Sequence, residues 1–280
     1  MLTRSHATEP RPIPEPPRRP LPDPAPDIPD ELPDPARIEM TDIAAALSAG
    51  WNDFRRAPAF GLLFSAFYVL GGLVLAAVAL ASGREWWLIP FILGFPLIAP
   101  FAAIGLYEVS RRIEAGQPLD WRAVLGVVFA QKDRQIPSMA MVILLLFMFW
   151  VFVAHTVFAL FMGVSAMTNI TSSAEVFMTA RGMMMLTIGT LIGGGFAAVL
   201  FAFTVVGLPV LLEREVDFIT AIIVSVQAVA ENPVVMAAWA AMIVILLAMG
   251  IVPFFLGLLI VLPVLGHASW HVYRRLMPDD

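Results

Sequence analysis

Five long stretches without Asp, Glu, Lys or Arg constrain this chain more than any other feature. They cover residues 57–83, 86–107, 135–174, 182–212 and 232–273. A membrane-spanning helix needs about 20 apolar residues, because each residue rises about 1.5 Å through a hydrocarbon layer about 30 Å thick. Only 14% of the residues are charged, whereas soluble proteins average about 25%. The chain is therefore predicted to be an all-α integral membrane protein.

The last apolar stretch predicts two membrane helices rather than one. A single helix over residues 232–273 would be about 63 Å long, twice the hydrocarbon thickness. Gly250 and Pro253 lie near its middle and favour a turn there. Six transmembrane helices result, near residues 59–81, 87–107, 137–162, 184–212, 234–250 and 253–271.

The basic residues predict the orientation of these helices. With the N-terminus in the cytoplasm, the basic residues from Arg37 onward fall on the cytoplasmic side, except Arg84 and Arg181. This agrees with the positive-inside rule, whereas five spans would place Arg274 and Arg275 outside. We therefore predict a multi-pass protein with both termini in the cytoplasm.

Proline content predicts where the folded domain begins. Residues 1–40 contain twelve of the 23 prolines, and proline removes a backbone donor and fixes φ. We therefore predict a disordered proline-rich cytoplasmic tail over residues 1–40, a six-helix transmembrane domain over residues 41–276 and a C-terminal tail over residues 277–280. The first apolar run begins near Ala59, which is too late for a signal peptide.

An internal repeat divides the transmembrane domain into three predicted hairpin units, at about residues 42–112, 120–216 and 217–275. An aspartate and a proline lie sixteen positions apart in Asp42–Pro58 and in Asp217–Pro233, and seventeen apart in Asp120–Pro137. The run PFAAIGLYEVSRR, ending at Arg112, also aligns without gaps with PVLGHASWHVYRR, ending at Arg275. Each unit is predicted to be an interfacial amphipathic helix followed by two spans.

The first interfacial helix shows the expected apolar face. Its spacing places one set of residues on a common side and the charged residues outside it. The apolar set is Ile43, Leu47, Trp51 and Phe54, and the charged set is Asp42, Asp53, Arg55 and Arg56.

These segments resemble a known protein family. The runs ALSAGWNDFRRAP, IGLYEVSRRIEAGQPL, LPVLLEREVDFITAI and VLPVLGHASWHVYRRL are similar to DUF2189, a bacterial family of integral membrane proteins of unknown function. The resemblance covers about residues 42–276. It implies a protein of the bacterial inner membrane, and some family members carry the label of a cytochrome c oxidase subunit. It implies no functional residues.

Two histidines are the candidate cofactor ligands. His155 lies in the third predicted span, and His267 lies in the sixth, four residues before His271. An ionisable group inside a membrane is a functional candidate, although a neutral histidine hydrogen-bonded between helices is more common. Three histidines outside the tail are too few for a catalytic haem–copper subunit, so any oxidase role would be accessory. We predict no catalytic residue, no metal site and no bound cofactor.

Other motifs have a structural interpretation. Glu108 is predicted to form a surface ion pair with Arg111 or Arg112. Gly189 and Gly193 fit close helix packing, with a discontinuous transporter helix as the alternative. Copper(I) binding by Met183, Met184 and Met185 is disfavoured because the chain has no cysteine. Phosphate-binding and nucleophile motifs and a basic nucleic-acid surface are absent from the sequence.

The sequence favours a non-catalytic interaction or assembly component of a membrane complex. Its expected partners are the lipid bilayer and other membrane proteins or a respiratory complex, and nucleic acid is not expected. Two alternatives stay open: a small-molecule transporter or channel, and an accessory, non-catalytic subunit of cytochrome c oxidase or of another respiratory complex.

Overall fold

The computed structural model describes residues 33–82, 89–163, 178–253 and 255–278. Over these ranges the chain forms α-helices, a short 3₁₀ turn at Gln131–Asp133 and no β-strand, which confirms the all-α class. Three sequence predictions lie outside the described residues: most of the proline-rich tail, the position of Arg84 and the segment around Thr171.

Six long helices and four shorter ones make up the described part of the chain. The long helices are α2 (Pro58–Ser82), α3 (Ile89–Glu114), α5 (Ile136–Met162), α6 (Ala180–Thr204), α9 (Pro233–Ile251) and α10 (Leu258–Leu276). The shorter ones are α1 (Met40–Arg56), α4 (Trp121–Ala130), α7 (Gly207–Glu213) and α8 (Phe218–Glu231). A long helix lies over each predicted span, and the fourth is interrupted at Val205 and Val206, between α6 and α7.

Three of the described helices are long and apolar enough to cross a membrane. They are α5, the segment Ala180–Glu213 that joins α6 and α7, and α9. A fourth span is obtained if α1 and the first part of α2, which are bent by 97° at their junction, are taken together. The described residues therefore supply three to four candidate spans, compared with the six that the sequence predicts. The last turn of α10 carries an arginine pair and follows two histidines, which lowers the apolar content of this helix.

The acidic and proline residues of the repeat mark helix starts. Asp120 caps α4 by accepting a hydrogen bond from the Ala123 backbone N–H at 3.2 Å. Asp217 caps α8 in the same way, because its Oδ1 accepts from two backbone N–H groups. Pro58, Pro137 and Pro233 lie in the first turns of α2, α5 and α9, where proline removes no helical hydrogen bond. A short helix thus precedes a long one in each predicted unit.

The short helices pack on helices of the neighbouring unit. Helix α4 packs on α3, α8 packs on α6 and α7, and α1 packs extensively on α10. The backbones of α1 and α10 approach each other closely, because a Cβ atom on Gly50 would lie 2.5 Å from the Ala268 backbone nitrogen. The largest buried side chains, Trp239, Trp270 and Tyr273, belong to α9 and α10, so the core lies around the last hairpin.

The residues that precede α1 also pack against the last hairpin. The Ala36 N–H donates to the Leu276 carbonyl at 2.7 Å. The Ile38 N–H donates to Oδ1 of Asn232 at 2.9 Å, and Nδ2 of Asn232 donates back to the Ala36 carbonyl at 3.0 Å. The packed part of the chain therefore includes residues before the predicted domain start at residue 41.

Candidate functional site

Polar side chains concentrate where the C-terminal ends of α3 and α10 meet α1 and α7. We call this group the junction cluster. Most of its members bond to one another across helices, Glu108 bonds to two arginines of its own helix, and most are largely enclosed. They are Asp53, Glu108, Ser110, Arg111, Arg112, Glu114, Glu213, His267, Trp270, His271, Tyr273 and Arg274.

Asp53 and His271 join α1 to α10. Oδ2 of Asp53 lies 2.7 Å from Nε2 of His271, and Asp53 is only 5% exposed. The amphipathic pattern of α1 placed Asp53 outside the apolar face, and that expectation is wrong. The residue is buried because α10 supplies a partner, and a buried carboxylate is tolerated only where it is hydrogen-bonded.

His267, one of the two candidate ligands, lies inside the cluster. It is fully buried, and its Nδ1 lies 2.8 Å from Oγ of Ser110 in α3. Its Nε2 has no hydrogen-bond partner and is closed off from the surface. The ring therefore links α10 to α3 through one nitrogen, while the other nitrogen faces its packed surroundings.

Glu108 is paired as predicted, but it is buried rather than at the surface. Its two carboxylate oxygens accept hydrogen bonds at 2.7 Å from Arg111 and Arg112, and its side chain is fully enclosed. Two charge-assisted bonds from the following turn of the same helix compensate the burial of the carboxylate. The surface location predicted for this pair is therefore wrong, because α3 is covered there by other helices.

The end of α10 holds two more carboxylates. The Trp270 indole N–H donates to Glu114 at 3.1 Å, and the Tyr273 hydroxyl donates to Glu213. Arg274 contacts Glu114 at 3.3 Å and Glu213 at 3.4 Å. Burial, followed by the Glu213 carboxylate, raises the pKa of Tyr273 above its ordinary value. The hydroxyl therefore stays protonated and remains a hydrogen-bond donor.

His155, the other candidate ligand, lies elsewhere. It is on α5, is exposed, and its Nδ1 lies 2.7 Å from the carbonyl of Val151 one turn earlier. The structure therefore does not bring the two candidate histidines into one site. Within the described ranges, no group of three or more His, Cys, Asp or Glu side chains is arranged to hold a metal ion.

Two large surface grooves are lined by apolar and small residues. One, of about 480 Å³, lies between α1, α9 and α10 beside Leu47, Trp51 and Val264. The other, of about 530 Å³, lies between α5 and α6 beside Trp150 and the glycines of α6. A Cβ atom on Gly193 would lie 3.2 Å from the Trp150 indole nitrogen, whereas one on Gly189 would meet no atom within 4 Å. Helix packing therefore uses only part of the predicted glycine pattern.

Sequence reasoning missed most of the junction cluster. Asp53 was expected outside the apolar face of α1, and neither Glu114 nor Glu213 was singled out from the sequence. One signal could have found it: in the gapless alignment of the two hairpin ends, Glu108 falls opposite His271 and Ser110 opposite Tyr273. Polar groups recur at the same places in two otherwise apolar helices, which is the pattern of a shared interface.

One family comparison finds a match. Residues 88–213 match the family model DUF2189, described as a predicted integral membrane protein. The match extends from α3 to α7 and confirms the resemblance drawn from the sequence, over a shorter range than residues 42–276. No curated protein and no solved structure shows a significant match to the chain.

Proposed function

We propose that this DUF2189-like integral membrane protein is a non-catalytic interaction or assembly component of a complex in the bacterial inner membrane. One observation carries the proposal: most polar side chains of the junction cluster pair with one another across α1, α3, α7 and α10, and the grooves found among the described residues are lined by other side chains. Active sites and ion pathways present polar groups to a cleft or to a water-filled space. The junction cluster instead stabilises the contacts between these helices, as expected of a protein that holds its partners in fixed positions.

The exposed surface fits the same role. Helices α2, α5, α6 and α9 present large apolar side chains, among them Phe67, Phe152, Leu191 and Val244. In a bilayer, such faces contact lipid or the helices of other membrane proteins. A fixed cytoplasmic junction would hold these faces at constant positions for a neighbouring subunit.

The proposed topology has three hairpins that start from the cytoplasmic side. The order of a short helix followed by two long ones, repeated three times, and the positions of the arginines support it. Reporter fusions test this arrangement. Fusions after Arg84 and after Thr171 should be active outside the cytoplasm, and a fusion after Asp120 should be active inside. The opposite pattern contradicts the topology.

The test of the function is purification of the tagged protein from native membranes in a mild detergent. We expect a colourless preparation in which specific membrane proteins co-purify in fixed ratio and are identified by mass spectrometry. An unrelated inner-membrane protein with the same tag and similar abundance is the control. A homogeneous preparation without partners contradicts the proposal and directs attention to transport, where ligand-dependent thermal stabilisation in detergent is the measurement.

The histidines give little support to the alternative of an accessory respiratory subunit. Nε2 of His267 is unpartnered, but its atomic surface is below 1 Å², so an iron atom could reach it only if the helices moved apart. The visible spectrum of the same preparation decides this point. A Soret band that disappears in His267→Ala but persists in His155→Ala would assign haem to His267 and favour the accessory respiratory subunit over the assembly component.

A further inference from the structure

The α9–α10 hairpin is shorter than the other two. Helices α9 and α10 contain 19 residues each, whereas α2, α3, α5 and α6 contain 25 to 27. At about 1.5 Å per residue, the arms of the last hairpin are roughly 28 Å long and those of the others about 38–40 Å. The C-terminal half of α10 also lies in the junction cluster, so less of this helix is left for the membrane.

Contacts between α2 and α10 show how deep the hairpin reaches. The Ser65 hydroxyl donates to the Leu259 carbonyl at 3.2 Å, and a Cβ atom on Gly61 would meet the Cβ of Pro263 at 2.8 Å. The two helices therefore run antiparallel here. From Ser65, α2 continues to Ser82, which is about 26 Å further along the helix. Helix α10 begins at Leu258, only one residue before Leu259. The tip of the hairpin thus stops well short of the far end of α2.

Helix α3 gives an independent comparison. A Cβ atom on Gly266 would lie 2.4 Å from a side-chain carbon of Leu106, which places these two residues at the same level. From there α3 extends to Ile89, about 26 Å away, and α10 extends to Leu258, about 12 Å away. Before the turn is counted, the start of α10 therefore lies about 24 Å short of the end of α2 and about 14 Å short of the start of α3.

The tip has no polar side chain. Residues 250–257 read GIVPFFLG, and Val252 is 82% exposed, with Phe255 and Leu256 about half exposed. The connection between α2 and α3 contains Arg84 and Glu85, and the one between α5 and α6 contains Asn169, Thr171 and Glu175. Several large apolar side chains in one exposed turn would be costly in water, at about 25 cal/mol per Å². They suit contact with lipid.

The backbone of the tip also fits a medium without water. Val252 donates to the Ala248 carbonyl, Phe255 to Ile251, Leu256 to Pro253 and Leu258 to Phe255, and Pro253 has no N–H group to satisfy. In hydrocarbon, backbone groups must be bonded within the protein.

One residue of the tip carries an unusual backbone conformation. Phe255 has φ of 65°, where a turn in water would favour Gly or Asn. The position has an apolar aromatic residue instead.

We propose that the α9–α10 hairpin is re-entrant: it enters from the cytoplasmic side, turns inside the hydrocarbon core and does not reach the opposite surface. Its tip, residues 250–257, is then a surface whose partner is lipid acyl chains. Helix α9 is long enough to cross a membrane by itself. However, the contacts of α10 with α2 and α3 set the depth of the hairpin, and at this depth α9 ends inside the bilayer. The inference does not depend on the proposed function.

The absence of cysteine from the sequence makes the test direct. Single cysteines are placed at the tip (Val252→Cys), in the first outer connection (Arg84→Cys) and in the cytoplasmic connection (Asp133→Cys). Membranes of both orientations are treated with a membrane-impermeant maleimide. We expect Arg84→Cys to be labelled from outside and Asp133→Cys from inside. We expect Val252→Cys to be labelled from neither side, and only after SDS.

Labelling of Val252→Cys from either side before SDS overturns the proposal, because it shows that water reaches the tip. Leu256→Cys repeats the experiment in case the first variant fails to insert. A nitroxide attached to the same cysteine gives a positive readout. In the bilayer it should collide more with oxygen than with a water-soluble nickel chelate, as a label in hydrocarbon does, and the reverse ratio contradicts the proposal.

Discussion

Oδ2 of Asp53 in α1 and Nε2 of His271 in α10 lie 2.7 Å apart, although 218 residues separate them in the sequence. Both side chains are largely enclosed, so the contact is part of the packed interior. It joins the first described helix to the last one. The same interface contains Gly50, where the backbones of α1 and α10 approach closely. The Asp53–His271 pair and Gly50 therefore both contribute to the packing of α1 on α10.

Removal of the Asp53 carboxylate should destabilise the protein. Asp53→Ala leaves His271 without its partner in an enclosed site, which costs about 1–3 kcal/mol. We expect a lower apparent melting temperature in detergent, measured by size-exclusion chromatography of heated samples. Asp133→Ala is the control, because that side chain is 75% exposed and its ion pair with Lys132 is long, at 3.7 Å. Equal effects of the two substitutions would show that the Asp53 contact contributes nothing.

A methyl group at Gly50 should separate α1 from α10. The added Cβ atom would lie 2.5 Å from the Ala268 backbone nitrogen, and backbone cannot move aside as a flexible side chain can. Gly50→Ala should therefore lower stability by about 1–3 kcal/mol, as overpacking does. Gly189→Ala is the matched control, since a Cβ atom there meets nothing within 4 Å and alanine favours the helix by about 1 kcal/mol. The idea fails if both variants behave like the parent in the same melting assay.

Two N-terminal deletions should have different effects. Removal of residues 1–32 leaves every described contact in place, so the melting temperature should not change. Removal of residues 1–39 also removes the hydrogen bonds from Ala36 to Leu276 and from Ile38 to Asn232. The Asn232 amide then lacks these partners, so the melting temperature should fall. Membrane insertion of both forms is checked by fractionation. If the longer deletion melts like the shorter one, the residues before α1 are not part of the stable fold.

Tyr273 should make stability depend on alkaline pH. Burial and Glu213 raise the pKa of Tyr273 above its ordinary value near 10, so the folded protein holds this proton more tightly than the unfolded chain. The resulting stabilisation is complete below pH 10 and is lost as the pH rises above that value. Tyr273→Phe removes the hydrogen bond to Glu213 and should melt at a lower temperature at pH 7. This difference from the parent should shrink above pH 10, and a constant difference would contradict the assignment.

The helices were easier to predict than their burial. Apolar runs and the Asp and Pro signals are local, so they located the long helices and the starts of α4 and α8. The burial of Asp53 and Glu108 was missed because helical periodicity reports only the face of one helix. Whether a charge on that helix is covered depends on α10 and α3, which are distant in sequence. Membrane topology also accounts for charged residues at the cytoplasmic ends of spans. The positions of Glu114 and Glu213 in the sequence therefore did not point to their contacts with α10.

The number of spans illustrates the same limit. Hydropathy counts apolar residues but carries no information on the level at which a helix begins. It therefore predicts two spans for the stretch 232–273 and does not distinguish them from the proposed re-entrant hairpin. The level of α10 relative to α2 is set by Ser65, Leu259, Gly61 and Pro263, and no pattern within α10 encodes it.

The packing of α1 on α10 has a consequence for biosynthesis. Helix α1 leaves the ribosome before α10, because the surface that covers Gly50 and Asp53 belongs to residues translated about 218 positions later. Until α10 is present, this face of α1 has no helix to pack against and must contact lipid or a chaperone. The native contact of α1 is therefore completed only after α10 has been synthesised, and a chain truncated before α10 would leave this face of α1 uncovered.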